Sequence, residues 1–218
     1  NSELKSISIP SSVCELKDGW LNCIPCLQKV IISPKNPNFK NLEENDKLIV
    51  GKSDTKSDKF DTLIFAYREI EMITIPPYLK KISPYSLSYS NIKMLSIPAT
   101  FCELKDEWCA ATKYLNKVVI SPENRNYKNY EENDKLILGK SDTKSDEFDV
   151  LVFASRDLET VSIPPYVKQI SPFAFSDSKI KTISIPSQIH RICKGAFSDC
   201  QFLTKVEFEA NSKLEKIE

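Results

Sequence analysis

Histidine is almost missing from this chain: His190 is the only one in 218 residues, and glycine is scarce at four. A lone imidazole leaves no acid–base dyad, and so few glycines leave no phosphate-cradling loop. Net charge is missing too. Lys+Arg and Asp+Glu are both 30, which removes the bulk electrostatic reason to bind nucleic acid or an anionic membrane. No run approaches 18 consecutive apolar residues, so no segment reads as a membrane span. No asparagine lies in an Asn-x-Ser/Thr sequon, which argues against heavy glycosylation. The chain starts at Asn1 without an initiator methionine or a signal peptide, and Ser212–Glu218 falls inside a repeat. Both ends are therefore expected to be cut from something longer, with membrane attachment only through a segment outside this chain. What is present is enough apolar residue, 41%, to bury a core.

Seven cysteines form an odd set: Cys14, Cys23, Cys26, Cys102, Cys109, Cys193 and Cys200. Only Cys14 and Cys102 fall on equivalent positions of a long internal duplication. A disulfide framework would have been copied with the duplicated segment. The cysteines are expected to be small buried residues or free thiols, with Cys14 and Cys102 unbonded.

The duplication is the dominant signal. Residues 4–91 and 92–179 align without a gap at an offset of 88, with 52 identical positions, and a third, partial copy runs over 180–218. Inside each unit a shorter phrase recurs: Leu4-Lys-Ser-Ile-Ser-Ile-Pro10, Ile70-Glu-Met-Ile-Thr-Ile-Pro76, Ile92-Lys-Met-Leu-Ser-Ile-Pro98, Leu158-Glu-Thr-Val-Ser-Ile-Pro164 and Ile180-Lys-Thr-Ile-Ser-Ile-Pro186. Looser versions begin at Leu27, Leu115 and Leu203. The steps are 22–23 residues, with two of 43. Alternating apolar and hydroxyl residues predict a short strand, closed by a proline that has no N–H for a central ladder. Units this short cannot bury their apolar positions alone, so they must stack. The expected architecture is an α/β or mainly-β solenoid, a single domain over 1–218, with a parallel sheet along one face. That sheet should be the longest, with Ile7, Ile73, Leu95, Val161 and Ile183 pointing inward. Each 43-residue step carries two apolar runs around a polar segment, as in Asp46–Val50 and Asp61–Phe65 around Gly51–Lys59. That pattern predicts a β-hairpin insertion.

The full phrase, clearest over Ile180–Cys200 with Ile183-Ser-Ile-Pro186, Ile189, Ile192, Ala196-Phe197 and Cys200, resembles the BspA-type leucine-rich repeat. Phe153–Arg156 with Ser162–Phe175 is similar to the BspA-like repertoire of trichomonads. Trp20, Trp108 and Ser86-Leu87 depart from the Ala-Phe position. The resemblance implies a surface or secreted repeat protein used in adhesion or host recognition, with a protein or glycan partner, no cofactor and no catalysis.

Residues between the inward strand positions face out. Ser8, Lys29, Thr74, Ser96, Lys117, Ser162, Ser184 and Lys205 on this row are the candidate binding residues, and the same hydroxyls also serve simply to solvate a sheet. The twin acidic loops Ser53–Asp58 and Ser141–Asp146 lack the ordered oxygen spacing of a cation site and read as solvated tips. His190, between Ile189 and Ile192, reads as a surface residue. Cys23-Ile-Pro-Cys26 has the spacing of a redox pair, but lies on an inter-repeat turn, and no second pair stands ready for zinc. An intracellular repeat scaffold and a thiol oxidoreductase using Cys23 and Cys26 are the alternatives to the binding module.

Overall fold

The computed structural model describes residues 3–218. Every assigned element among them is a strand. In the first unit these are β1 (Ser6–Ile9), β2 (Lys29–Ile32), β3 (Phe39–Leu42), β4 (Asn45–Gly51), β5 (Thr62–Ala66), β6 (Met72–Thr74) and β7 (Lys81–Ile82). The second holds β8 (Met94–Ile97), β9 (Glu103–Leu104), β10 (Lys117–Ile120), β11 (Tyr127–Tyr130), β12 (Asn133–Gly139), β13 (Val150–Ala154) and β14 (Gln169–Ile170). The partial third holds β15 (Thr182–Ile185), β16 (Arg191–Ile192), β17 (Lys205–Phe208) and β18 (Lys216–Ile217). The solenoid is mainly β.

One rung of the stack has three sides. The phrase strand forms the first. After the proline turn, a two-residue strand such as β7 or β16 forms the second. The third is a tight turn with two residues in the left-handed region, four apart: Gly19 and Cys23, Tyr85 and Tyr89, Glu107 and Ala111, Phe173 and Asp177, Gly195 and Asp199. That conformation favours glycine, yet only two of these ten positions have one. Hydrogen bonds from rung to rung hold the turn, as in Tyr85 N–H to Glu107 O, Tyr89 N–H to Ala111 O and Asp177 N–H to Ser198 O. At Gly195 a side chain is also sterically barred, since a Cβ there would lie 2.8 Å from the Phe173 ring.

The two 43-residue steps are single rungs with a detour. β3, β4 and β5 form an antiparallel meander, and β5 then runs parallel to β7 (Thr62↔Lys81, Leu63↔Ile82). β11, β12, β13 and β14 repeat the arrangement. The expected hairpins are present, but they are stitched into the second side rather than hung from the stack. This corrects one expectation. The longest sheet is not the parallel phrase sheet; it is the mixed six-stranded sheet β11-β12-β13-β14-β16-β18 on the second side. The phrase strands form three separate groups, β1-β2, β6-β8-β10 and β15-β17. Leu158–Pro164 joins the last only through the bridge Ser162↔Ser184.

Side chains explain the breaks. An open strand edge exposes unpaired N–H and C=O groups that need partners. At the first junction Tyr67 Oη donates to Val30 O (3.1 Å). At the second, Asn129 donates to Val118 O (2.8 Å) and accepts from Ile120 N–H (2.9 Å), and Ser155 Oγ donates to Asn116 O (2.6 Å). These bonds satisfy the edge that another phrase strand would have taken. Of the five residues expected to point inward, Ile73, Leu95 and Ile183 are buried, while Ile7 and Val161 are half-buried, on the first rung and beside the second junction.

The third side explains the tryptophans. Trp108 is buried with its ring centroid 5.8 Å from that of Phe153 on β13, and Trp20 packs in the cluster that holds Phe65. A large ring stands where the next rung is a detour. Ser86, Ala174 and Ala196 occupy the same place elsewhere.

Candidate functional site

Most of the candidate residues sit on phrase strands whose alternate side chains are core; Lys205 lies on β17, which is exposed throughout, and Ser162 makes only an isolated bridge. The candidates fall into three groups. Ser8 and Lys29 lie on β1 and β2. Thr74 and Ser96 pair directly across β6 and β8, and Lys117 pairs with Met94 across β10 and β8. Ser162 bridges Ser184, and Lys205 pairs with Thr182. All are exposed except Ser96, which is half-buried between its neighbours. One continuous row is therefore divided at both junctions. The outer face is also less polar than its hydroxyls imply: Met72 is 63% exposed, and Ile31 and Val119 are exposed beside the lysines.

The twin loops are held by themselves. Asp54 accepts from Lys56 N–H and Asp142 from Lys144 N–H, both at 2.9 Å. Asp58 is fully exposed, 3.9 Å from Lys52. Each neck is clamped by a different acid. Asp61 and Asp149 each accept from the N–H and Oγ of Ser53 and Ser141, respectively, at 2.7–2.9 Å. Burial works to raise the Asp149 carboxyl, but the two Ser141 bonds and Lys168 prevail and hold it below the ordinary carboxylate range. A carboxyl depressed in the folded state contributes stability that is present above the unfolded pKa and lost as pH falls through the folded one. The melting temperature should therefore be flat between neutrality and about pH 5 and fall below about pH 4. Asp149→Asn should lower the neutral plateau and shrink the acid fall. A thermal-melt series in pH on both proteins checks this, and an acid fall of undiminished size in the variant counts against the clamp.

All seven cysteines are free. Cys14, Cys23, Cys26 and Cys102 are exposed, and burial raises the thiols of Cys109, Cys193 and Cys200. Cys23 stands in the left-handed position of a turn (φ 57°). It is not at a helix start, where a thiolate would be stabilised. His190 is half-exposed, its Nδ1 3.5 Å from Glu215 Oε1. Among the described residues no group of three or more His, Cys, Asp or Glu is placed to hold a metal ion.

Sequence reasoning missed two kinds of buried polar residue that position everything above. Asn124 Nδ2 donates to Pro98 O and Phe101 O, and its Oδ1 accepts from the N–H groups of Asn126 and Tyr127; Asn36 does the same in the first unit. These two asparagines anchor the detours to the preceding rung. Arg68 and Arg156 plug the two junctions. Arg156 is 1% exposed. Its Nη1 donates to Ala174 O and Ala154 O, and its Nη2 to Cys109 O, Phe173 O and Thr112 Oγ1. Arg68 bonds Leu27 O through Nε alone, and burial pushes its pKa down to about 10, so it stays charged at neutral pH. The one available signal was the Phe-Ala-x-Arg repeated at Phe65–Arg68 and Phe153–Arg156.

The architecture matches known proteins. A leucine-rich repeat protein from Eubacterium ventriosum shares the fold with a TM-score of 0.59 and 20% identity, over 98% of this chain and 59% of that one. The pneumococcal vaccine antigen PcpA aligns with a TM-score of 0.52 and 16% identity, over 93% of this chain and 50% of that one. The chain thus spans less than two thirds of either structure, and at these identities the likeness speaks to fold alone. None of the curated proteins matches the sequence. The BspA type leucine-rich repeat region matches in six copies, over residues 35–131 and 144–218. That is more than half of the sequence, and the chain belongs to the BspA-type leucine-rich repeat family.

Proposed function

We infer that the chain is a non-enzymatic binding module of a surface or secreted protein, and that it recognises a protein partner through the phrase-strand face. The middle group, β6-β8-β10, carries the reading. Its inward residues Ile73, Leu95 and Val118 are almost fully buried, so the platform is rigid, while Met72 and Val119 stand exposed between Thr74, Ser96 and Lys117. Exposed apolar side chains rimmed by polar ones on a preorganised surface favour protein contact, and methionine adapts its shape to a partner. The adhesion role and the surface location follow the family resemblance.

Ser96→Trp and Lys117→Glu should each weaken binding in cell- and matrix-binding assays at least tenfold, about 1.4 kcal/mol. Neither should unfold the chain, because surface changes usually shift stability by about 0.5 kcal/mol or less. Asp54→Lys and Asp142→Lys are the matched loop controls and should leave binding intact. The opposite pattern moves recognition to the detour side. Turnover of a dithiol–disulfide substrate that is abolished by Cys23→Ser would replace the binding module with an oxidoreductase.

A further inference from the structure

A cleft lies against the tyrosine of the rung that follows each detour: the first between the β3–β4 turn and Tyr78, the second between the loop before β13, Tyr166 and Gln188 of the next rung. The first, about 360 Å³, is lined by Lys40, Glu43, Glu44, Phe60 and Tyr78 among others. The second, about 560 Å³, is lined by Phe148, Pro165, Tyr166, Lys168 and Gln188 among others. The tyrosine follows two prolines in both, Ile75-Pro-Pro-Tyr78 and Ile163-Pro-Pro-Tyr166. Rungs that follow no detour read Ile9-Pro-Ser-Ser12, Ile97-Pro-Ala-Thr100 and Ile185-Pro-Ser-Gln188. An aromatic platform thus stands only where a detour provides a wall.

The phenylalanines are already engaged. Lys40 and Lys52 ammoniums lie 4.9 and 5.3 Å from the Phe60 centroid, and Lys128 and Lys140 lie 4.9 and 4.8 Å from that of Phe148. The open aromatic in each cleft is the tyrosine, 46% exposed in both. Tyr78 is oriented by a 2.8 Å hydrogen bond from its hydroxyl to Glu44. In the second unit the equivalent carboxylate, Glu132, lies beside Tyr130, where the first unit has Leu42. Two ammoniums (Lys40, Lys59) and three carboxylates (Glu43, Glu44, Asp58) line the first cleft. The second is lined by one ammonium, Lys168, and two carboxylates, Glu147 and Asp149, which Lys168 pairs with at 2.8 and 3.4 Å. This mixture of signs disfavours a strongly charged ligand. It offers instead paired donors and acceptors beside one flat ring.

We propose that each cleft binds a pyranose unit of a neutral oligosaccharide. The sugar's C–H face stacks on Tyr78 or Tyr166, whose ring face carries the negative end of its quadrupole. The carboxylates accept from sugar hydroxyls and the lysines donate to them, as charge-assisted bonds. The two prolines hold the backbone of the platform, so little entropy is lost on binding. Five strand steps separate β7 from β14, through β9, β11, β12 and β13, with Leu104 N–H bonded to Tyr127 Oη tying β9 to β11. At strand spacing the clefts lie on the order of 20–25 Å apart. One polymeric glycan can therefore engage both and gain effective concentration from the link.

The test is calorimetric titration of the intact chain with chitohexaose, mannohexaose and maltohexaose, and with their monosaccharides. At least one hexasaccharide should bind, and far more tightly than its monomer. Tyr78→Ala and Tyr166→Ala should each weaken it tenfold or more without lowering the melting temperature, and the double variant should not bind. Lys117→Glu should have no effect, which separates this site from the phrase-strand face. The proposal is overturned if none of these saccharides binds, or if binding survives in the double variant. It is also overturned if a sulfated glycan binds better than every neutral one, or if a proline-rich peptide takes the clefts in their place.

Discussion

Arg156→Ala is expected to destabilise the chain by about 3–5 kcal/mol, the cost of a cavity at a fully buried side chain plus the loss of its hydrogen bonds. For a protein of this size that is a fall in melting temperature of roughly 6–20 °C. The guanidinium reaches carbonyls of three rung segments, Cys109, Ala154 and Phe173–Ala174, and lies 4.7 Å over the Phe153 ring. Releasing a buried charge from its desolvation offsets part of the loss, but the plug between two stacked blocks is gone. Arg68→Ala is the internal control. Arg68 lies 4.6 Å over Phe65 in the same way, but makes one protein hydrogen bond. Position 24 is Ile where position 112 is Thr. Its loss should cost about 1–3 kcal/mol by the same bookkeeping. Thermal and urea unfolding of both variants compares them. If Arg68→Ala proves the costlier change, carbonyl satisfaction is not what stabilises the junctions.

Asn124→Ala should cost about 3 kcal/mol, since it removes four hydrogen bonds and leaves buried backbone groups without partners. The damage should be local. Asn124 ties the start of the second detour to Pro98 and Phe101 on the rung before it, so amide exchange should accelerate first in β11 and β12. Protection in β1 and β2, several rungs away, should change little, because contacts in a solenoid are between neighbours. Uniform loss of protection along the chain would show instead that the stack unfolds as one block.

Much of this was legible in the sequence. The Ile-x-Ile-Pro phrases placed the strands, since period-two alternation maps directly onto one buried face, and the steps of 22–23 and 43 residues located the rungs and detours. The outward row was legible for the same reason, and all but Ser96 of the candidate residues are exposed. What the pattern did not carry was the partner of each polar group. Asn36, Asn124, Arg68 and Arg156 read as ordinary polar residues, because nothing local says that carbonyls 23 to 47 residues away will close around them. The left-handed turns were equally hidden, with Tyr85, Tyr89 and Phe173 in conformations a sequence assigns to glycine.

The sequence by itself determined the repeat, the strand positions and the need to stack, because hydrophobic period and chain length act locally and leave short apolar units no other way to leave water. Only the tertiary structure decided that the phrase sheet is cut into three and that the longest sheet runs along the second side. It also decided that a cleft opens beside the Pro-Pro-Tyr platform after each detour. Those outcomes depend on which backbone edges find side-chain partners across a junction, and that is settled only when distant rungs meet.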